Sequence, residues 1–330
     1  MINLPKLCAL LLGCASINLQ ASAQEGSDIA PKPTAGIIQE FDVDHTERMT
    51  VQVQVNGSEA VPFIVDTGAE RTVIANDFAK RLLLDEGPKL ILATISGRAE
   101  VNSFFIERLT SAAVNLEGVE APGLERSNLG AYGLLGIDSL EDSRVLLDFI
   151  NQKMEVTPSN KRGSRGKFEK GMIIVSAKRR AGRMILSSAR IDGVPVDIIL
   201  DTGAQATMGN ASLRKKLSRR HRMGDYKPVV MKSVTGSTLL GEYTQIQEIE
   251  IDSLTIKGLP ITFSYNYAFT ALKLNDRPAI LLGMDSLKLF DRVVIDFGNR
   301  RVGFDLPNGA ARPQPTRLAA NIHRGNQAIP

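Results

Sequence analysis

The sequence predicts an all-β protein made of two related lobes, and three observations lead to that prediction. Valine, isoleucine and leucine come in short runs that favour strands over long helices. Asn56-Gly57 and Asp192-Gly193 each separate two apolar runs, which is the pattern of a tight hairpin. Asp-Thr-Gly-Ala at 66–69 recurs at 201–204, an offset of 201 − 66 = 135 residues. A duplicated β-rich lobe explains all three.

Further elements follow each copy of the motif in the same order. The first is a short helix, opened in each copy by an asparagine suited to N-capping, and the second is a strand interrupted by glycine. The third is Leu-Leu-Gly-x-Asp-Ser-Leu, which leads into a closing pair of strands. In the first and then the second copy, these elements are the helices at 76–84 and 210–218, the strands at 94–101 and 233–240, and the Leu-Leu-Gly elements at 134–140 and 281–287.

The repeat divides the chain into two lobes and a linker. We expect an N-terminal lobe at 47–156 and a C-terminal lobe at 172–306, joined by a basic linker at 157–171. Residues 24–46 and 307–330 lack hydrophobic periodicity, so we predict a flexible N-terminal segment and a disordered tail.

The first residues predict a signal peptide at 1–23. Lys6 precedes an apolar segment that is too short to span a membrane, and Ala21-Ser22-Ala23 supplies a small-x-small cleavage pattern. We therefore expect a periplasmic or secreted protein. Both cysteines, Cys8 and Cys14, lie in this segment, so the mature chain would contain none. A second interpretation takes Cys14 as a lipidated residue, but Leu12 fits that pattern poorly.

The charge distribution favours some partners over others. The net charge is +4, and the basic residues cluster at 161–170, 178–180 and 214–222. These runs predict a solvated surface, or alternatively attraction to an anionic membrane surface or an acidic substrate. No basic run is interleaved with aromatic residues, so we expect no nucleic-acid partner.

Other chemistries have little support in the sequence. Only three histidines occur, and no Cys cluster, phosphate-binding loop or dinucleotide glycine pattern is present. Asp42, Asp44 and His45 could recruit a metal, but an exposed acidic patch explains them better. We therefore expect neither a metal nor a cofactor.

The doubled Asp-Thr-Gly-Ala motif, each copy behind an aliphatic strand and followed by Leu-Leu-Gly, resembles the aspartic peptidases. The similarity is greatest to the retropepsin type, including the retropepsin-like peptidases that bacteria export, and two lobes in one chain resemble the bilobal pepsin arrangement. The resemblance implies two β-barrel lobes of the acid protease fold with the active site between them. It implies that Asp66 and Asp201 are a catalytic pair sharing one proton.

The resemblance also assigns supporting roles within the two motifs. Thr67 and Thr202 would bond across the lobe junction, and Gly68 and Gly203 would let backbone N–H groups face the carboxylates. Ala69 and Ala204 lack the hydroxyl that pepsin-type enzymes place there. Fewer hydrogen bonds to the ionised form imply a higher pKa for the pair, so we expect a rate optimum in mildly acidic solution.

Two flaps are expected by the same resemblance. They would be hairpins closing over a bound peptide, with Ser96 and Gly97 near one tip and Thr235 and Gly236 near the other; the alternative is two ordinary surface hairpins. We also expect Arg71 to pair with Asp138. Because Ala206 replaces that arginine in the second lobe, Asp285 would need another partner.

The resulting functional prediction is a monomeric aspartic endopeptidase that binds an extended peptide by strand addition. The alternative from a different class is a catalytically silent peptide- or protein-binding module that keeps the fold. A third interpretation, a homodimer acting through one lobe only, is opposed by the completeness of both copies.

Overall fold

A computed structural model describes residues 7–8, 50–111, 114–159, 168, 171–180, 183–219 and 226–307. All three histidines, the 41–45 patch, residues 24–46, nearly all of the predicted signal peptide and most of the predicted linker and tail lie outside those ranges. Within the part of the chain that the structure describes, no helix is long and apolar enough to cross a membrane.

Strands dominate the described residues, and six short helices accompany them, which confirms the all-β prediction. In the N-terminal half the strands are β1 (Leu7–Cys8), β2 (Thr50–Val55), β3 (Val61–Val65), β4 (Val73–Ala75), β5 (Glu86–Thr94), β6 (Gly97–Thr110), β7 (Asn115–Leu124), β8 (Gly133–Leu135), β9 (Ser143–Asp148) and β10 (Lys153–Pro158). The helices of this half are α1 (Asn76–Arg81), α2 (Arg126–Leu129) and α3 (Ile137–Leu140).

The C-terminal half repeats this order of elements. Its strands are β11 (Ile173–Ser176), β12 (Lys178–Arg180), β13 (Arg183–Ile191), β14 (Val194–Leu200), β15 (Met208–Gly209), β16 (Lys227–Lys232), β17 (Thr238–Ile251), β18 (Leu254–Ser264), β19 (Ala279–Leu282), β20 (Arg292–Asp296) and β21 (Arg301–Asp305). Its helices are α4 (Ala211–Ser218), α5 (Tyr267–Ala271) and α6 (Met284–Leu287).

Three sheets organise the described part of the chain, one for each lobe and one shared between them. The lobe sheets have eight strands each, in the orders β1-β5-β6-β2-β3-β8-β4-β7 and β12-β13-β14-β19-β15-β18-β17-β16. The shared sheet has five strands in the order β10-β9-β20-β21-β11. Within it β9 of the first half pairs antiparallel with β20 of the second, so backbone hydrogen bonds join the lobes directly.

The hairpin turns predicted from Asn-Gly and Asp-Gly are present. Asn56 and Gly57 have φ of 50° and 75°, and Asp192 and Gly193 have φ of 46° and 75°. Two successive positive φ values belong to the tight turn that matches strand twist, and glycine and asparagine or aspartate tolerate them best. The repeated sequence therefore produces repeated backbone geometry.

The predicted asparagine caps are confirmed for one helix and wrong for the other. Asn210 accepts a hydrogen bond from Leu213 N at 2.9 Å and caps α4. Asn76 instead lies inside α1, and its side chain donates to Glu125 Oε1 at 2.7 Å. The short β4 runs directly into α1, so the residue before the helix is Ala75, which has no side-chain oxygen.

Candidate active site

The two Asp-Thr-Gly-Ala motifs lie at the ends of matched strands. β3 leads to Asp66 and β14 leads to Asp201, and each strand pairs in parallel with the Leu-Leu strand of its own lobe, β8 or β19. The pairing continues to the aspartates, because Asp66 N donates to Leu135 O at 2.9 Å and Asp201 N donates to Leu282 O at 3.1 Å. The aliphatic strands therefore carry both carboxylates to equivalent positions.

The structure brings the two carboxylates together at the lobe junction. A methyl group on Gly68 would lie 2.6 Å from Cγ of Asp201, and one on Gly203 would overlap the carboxylate of Asp66. Each carboxylate therefore packs against the glycine of the opposite motif, where a side chain would collide with it. Both aspartates are fully buried.

Each carboxylate is held by the backbone of its own loop. Oδ1 of Asp66 accepts from the N–H groups of Gly68 and Ala69 at 2.8 and 2.9 Å, and Oδ1 of Asp201 accepts from Gly203 and Ala204 at 3.1 and 3.0 Å. Oδ2 of Asp201 is buried without a hydrogen-bond partner among the described residues. This leaves one oxygen of Asp201 for other chemistry.

The protonation of Asp201 is strongly perturbed. Burial raises its pKa well above the ordinary range, the negative charge of Asp66 raises it further, and the loop N–H groups and the charge of Arg183 oppose the rise. Two carboxylates in one buried site cannot both ionise easily, so the pair tends to hold one proton. The mildly acidic optimum expected from Ala69 and Ala204 stays a prediction, because the raised pKa of Asp201 comes first from burial.

Thr67 and Thr202 join the loops across the lobe junction, as expected. The Thr67 hydroxyl donates to Leu200 O at 2.8 Å and accepts from Thr202 N at 3.2 Å. The Thr202 hydroxyl donates to Val65 O at 2.6 Å and accepts from Thr67 N at 3.1 Å. These buried hydrogen bonds fix one loop against the other.

Arg183 is a residue of this site that the sequence prediction missed. It is completely buried, its Nε donates to Gly68 O at 3.0 Å, and its positive charge opposes the rise in the Asp201 pKa. A signal was available in the repeat, because Arg48-Met49 and Arg183-Met184 are separated by 183 − 48 = 135 residues, the same offset as the aspartates. Arg48 itself lies outside the described residues.

Arg71 does not form the predicted ion pair with Asp138, although its positive charge lowers the pKa of that carboxyl. Arg71 Nη1 pairs with Glu120 Oε2 at 3.3 Å, while Asp138 accepts from both the backbone N and the hydroxyl of Thr72. Asp285 in the second lobe accepts from the same two groups of Thr207. In both lobes the hydrogen-bond partner of this aspartate is the threonine that follows the arginine position. Asp285 therefore keeps its hydrogen bonds although Ala206 stands where the first lobe has arginine.

The predicted flap positions lie at the ends of two hairpins that reach the opposite lobe. β5 and β6 are joined by Ile95-Ser96, with Gly97 just after the turn at φ 134°. β16 and β17 are joined by residues 233–237, which include Thr235 and Gly236, the latter at φ 85°. Ile95 O accepts from Tyr267 N at 3.0 Å, and a methyl on Gly236 would lie 3.3 Å from Asn128 Nδ2.

Both carboxylates are shielded from solvent in this structure, because Asp66 and Asp201 have no exposed surface. The two best-defined surface cavities among the described residues are lined by residues around Tyr132 and around Arg190, and no residue of either motif lines them. The described residues also contain no group of three or more histidine, cysteine, aspartate or glutamate side chains that could hold a metal ion.

Comparison with known proteins identifies an aspartyl protease domain in each lobe. Residues 51–142 match the family described as "gag-polyprotein putative aspartyl protease", and residues 187–286 match the family described as "Aspartyl protease". A retropepsin-like aspartic protease from Rickettsia conorii is similar at 18% identity, over 41% of this chain and 90% of that one, with a TM-score of 0.28. No curated protein sequence matches the chain.

Proposed function

Because this chain is a two-lobe retropepsin-like aspartic peptidase by family, with one aspartyl protease domain in each lobe, we propose that it is an endopeptidase whose catalytic residues are Asp66 and Asp201. The observation that carries the proposal is the meeting of two fully buried carboxylates in matched loops. A pair of this kind, sharing one proton, is suited to activate a water molecule for attack on a peptide carbonyl.

The proposed mechanism divides the two roles of the pair. The ionised carboxylate takes a proton from a water molecule lying between the aspartates, and the resulting nucleophile attacks the carbonyl carbon. The protonated carboxyl donates a hydrogen bond to the carbonyl oxygen and stabilises the charge that develops there. The shared proton is then available for the departing amine. Because the two groups titrate as a pair, neither role is assigned to one residue.

The structure also supports a way of holding the reacting groups still. The hydrogen bonds of Thr67 and Thr202 across the junction restrain both loops, and Oδ1 of each carboxylate accepts from the amides of its own loop. Oδ2 of Asp201 is buried and has no hydrogen-bond partner among the described residues. In the proposed mechanism this oxygen would contact the water or the substrate, so little reorganisation would accompany the reaction.

A catalytically silent binding module is less consistent with these observations. Burying two carboxylates against one another costs free energy, as the raised pKa of Asp201 reflects. A module that only binds peptides would gain stability by replacing either aspartate with a neutral residue. Retention of both, with intact threonines and glycines in both loops, favours an enzyme.

We propose a peptide substrate in an extended conformation, lying between the carboxylate pair and the β5–β6 and β16–β17 hairpins. Strand edges offer backbone hydrogen bonds to such a peptide, and side-chain pockets on either side of the scissile bond supply selectivity. We propose that the protein acts as a monomer, because one chain supplies both lobes. We also propose export to the periplasm or out of the cell, because the first 23 residues have the pattern of a signal peptide.

The test compares wild type with Asp66→Asn and Asp201→Asn on a diverse peptide pool between about pH 3 and 8, a range that brackets carboxylate titration. Each substitution is nearly isosteric and should lower kcat/KM by at least about a thousandfold, because it removes one partner of the acid–base pair. Exposed Asp252→Asn is the matched control and should leave cleavage unchanged. Cleavage that survives either dyad substitution would contradict the assignment, and a wild type that binds but never cleaves would favour the binding module.

A further inference from the structure

One of the two turn residues of the β5–β6 hairpin, Ile95, is apolar and buried, which is unusual at a hairpin tip. Ile95 has no exposed surface, whereas the adjoining Ser96 is exposed. A turn at the end of a long hairpin ordinarily carries polar residues in contact with water. Some apolar surface outside the hairpin must therefore cover the Ile95 side chain.

The covering surface belongs to the opposite lobe. Ile95 is part of an apolar cluster whose other buried members all come from the C-terminal half, among them Met208, Ala268 and Phe269. The hydrogen bond from Tyr267 N to Ile95 O places the tip at the first residue of α5, next to Ala268 and Phe269 in the chain. Ile95 thus fills an apolar pocket of a lobe to which it does not belong.

This pocket adjoins the proposed catalytic pair. Its cluster includes Ala204, whose N–H donates to Asp201 Oδ1 at 3.0 Å. A peptide whose scissile bond lies on the carboxylates must place a neighbouring side chain close to the same loop. The substrate side chain and Ile95 would then compete for one apolar space.

A polar contact holds the tip in place from the outside. Arg98 Nε donates to the Tyr267 hydroxyl at 2.6 Å, and the guanidinium lies 5.6 Å from the centre of the Tyr267 ring. Arg98 is exposed, so this contact is of the modest kind that thermal motion breaks readily. The contact between Arg98 and Tyr267 would hold the hairpin tip against the opposite lobe and still let the tip open.

We propose that Ile95 is a built-in plug: it occupies the pocket of the C-terminal lobe that receives a substrate side chain next to the scissile bond, and substrate binds by displacing it. This inference rests on the proposed peptidase function. The pocket that an isoleucine fills selects aliphatic side chains of similar size and disfavours charged ones, because burying an unpaired charge among apolar side chains costs free energy.

The first test measures burial of the tip without using catalysis. Cys8 and Cys14 are the only cysteines of the chain, so the full-length protein with Cys8→Ser and Cys14→Ser is a clean background for single thiols. In this background, Ile95→Cys should react with iodoacetamide at least about tenfold more slowly than Ser96→Cys on the same turn, because reaction requires opening. Tyr267→Phe keeps the ring but removes the acceptor of Arg98, and should accelerate the Ile95→Cys reaction roughly fivefold while leaving Ser96→Cys unchanged.

The second test measures competition with substrate. Ile95→Ser should lower KM several-fold at nearly constant kcat on peptides with leucine or isoleucine beside the scissile bond, because a competing occupant has been removed. Equal alkylation of the Ile95→Cys and Ser96→Cys proteins, or a KM that rises in Ile95→Ser, would overturn the proposal. If the thiol is protected but no protein cleaves any peptide, the peptidase function fails and the plug role with it, although the contact between the tip and the opposite lobe stands.

Discussion

At the residue scale, a buried arginine beside a buried acid pair is the least expected feature of the site. Arg183 has no exposed surface, and its Nε–H donates a hydrogen bond to the carbonyl oxygen of Gly68. Burying a cation costs free energy unless nearby negative groups compensate for its lost hydration. Asp201 is such a group, because the charge of Arg183 lowers its pKa. Arg183 therefore acts on both motifs. It holds the Gly68 carbonyl of the first, and its charge lowers the pKa of Asp201 in the second.

Replacing Arg183 should shift the pH dependence of cleavage. Its charge lowers the pKa of Asp201, so Arg183→Met should raise the pKa of the pair and move the acid limb of the kcat/KM profile to higher pH. Arg183→Lys keeps the charge and should shift the limb less. A structural role alone predicts equal losses of activity in both variants without any displacement of the profile, and pH–rate measurements on both separate these outcomes.

The general chemistry of the site could be predicted from sequence at this scale, while several contacts could not. Asp66 and Asp201 were identifiable because each follows an aliphatic strand and each motif repeats. The partner of Asp138 was predicted wrongly as Arg71, since sequence proximity does not distinguish a threonine from the arginine beside it. Only the path of the loop decides which of two neighbouring side chains faces the carboxylate.

At the element scale, the sequence predicts the two hairpin turns correctly, because the turn residues themselves determine the turn. The predicted cap of α1 is wrong. Asn-Gly and Asp-Gly require positive φ from their own residues, and both turns formed. Asn76 and Asn210 carry the same cap signal, yet only Asn210 caps a helix. The strand before α1 fixes where that helix begins, and this depends on the parallel pairing of β4 with β7 rather than on nearby residues.

The two asparagines provide a matched test of this difference. Asn210 is buried, caps α4, accepts from Ala279 N, and donates to the carbonyl oxygens of Leu274 and Arg277. Asn210→Ala should therefore lower the free energy of unfolding by about 2–4 kcal/mol, the loss of a cap together with buried groups left unsatisfied. Asn76→Ala loses one contact to Glu125 and should cost less than about 1 kcal/mol. Urea titrations would measure both; similar losses in the two variants would contradict the structural distinction.

At the scale of the whole molecule, the shared sheet makes the lobes one structure. β9 and β20 pair over five residues from Arg144↔Asp296 to Asp148↔Arg292, and Ser159 donates to Asp296 Oδ1 at 2.6 Å. Sequence predicted a linker from residue 157, whereas β10 continues to Pro158. Pairing between strands so far apart in the chain has no local signature, so the repeat indicated two lobes but not how they join.

The buried carboxylates should also make stability depend on pH in a definite direction. Burial raises the pKa of Asp201, Asp138 and Asp285, so the folded chain holds protons on these groups more tightly than the unfolded chain does. Their contribution to stability is therefore greatest below the ordinary aspartate pKa of about 3.9 and is lost as pH rises through the raised values.

Asp201→Asn isolates the largest part of this effect, because asparagine does not ionise and removes the mutual repulsion with Asp66. Relative to wild type, the variant should gain free energy of unfolding as pH rises from about 4 to 7, and this gain should be absent for exposed Asp252→Asn. Reversible urea unfolding at several pH values measures the difference directly. A difference between the variant and wild type that stays constant across this range would mean that Asp201 titrates alike in the folded and unfolded chains, and the carboxylate pair would then lack the shared proton that the proposed chemistry requires.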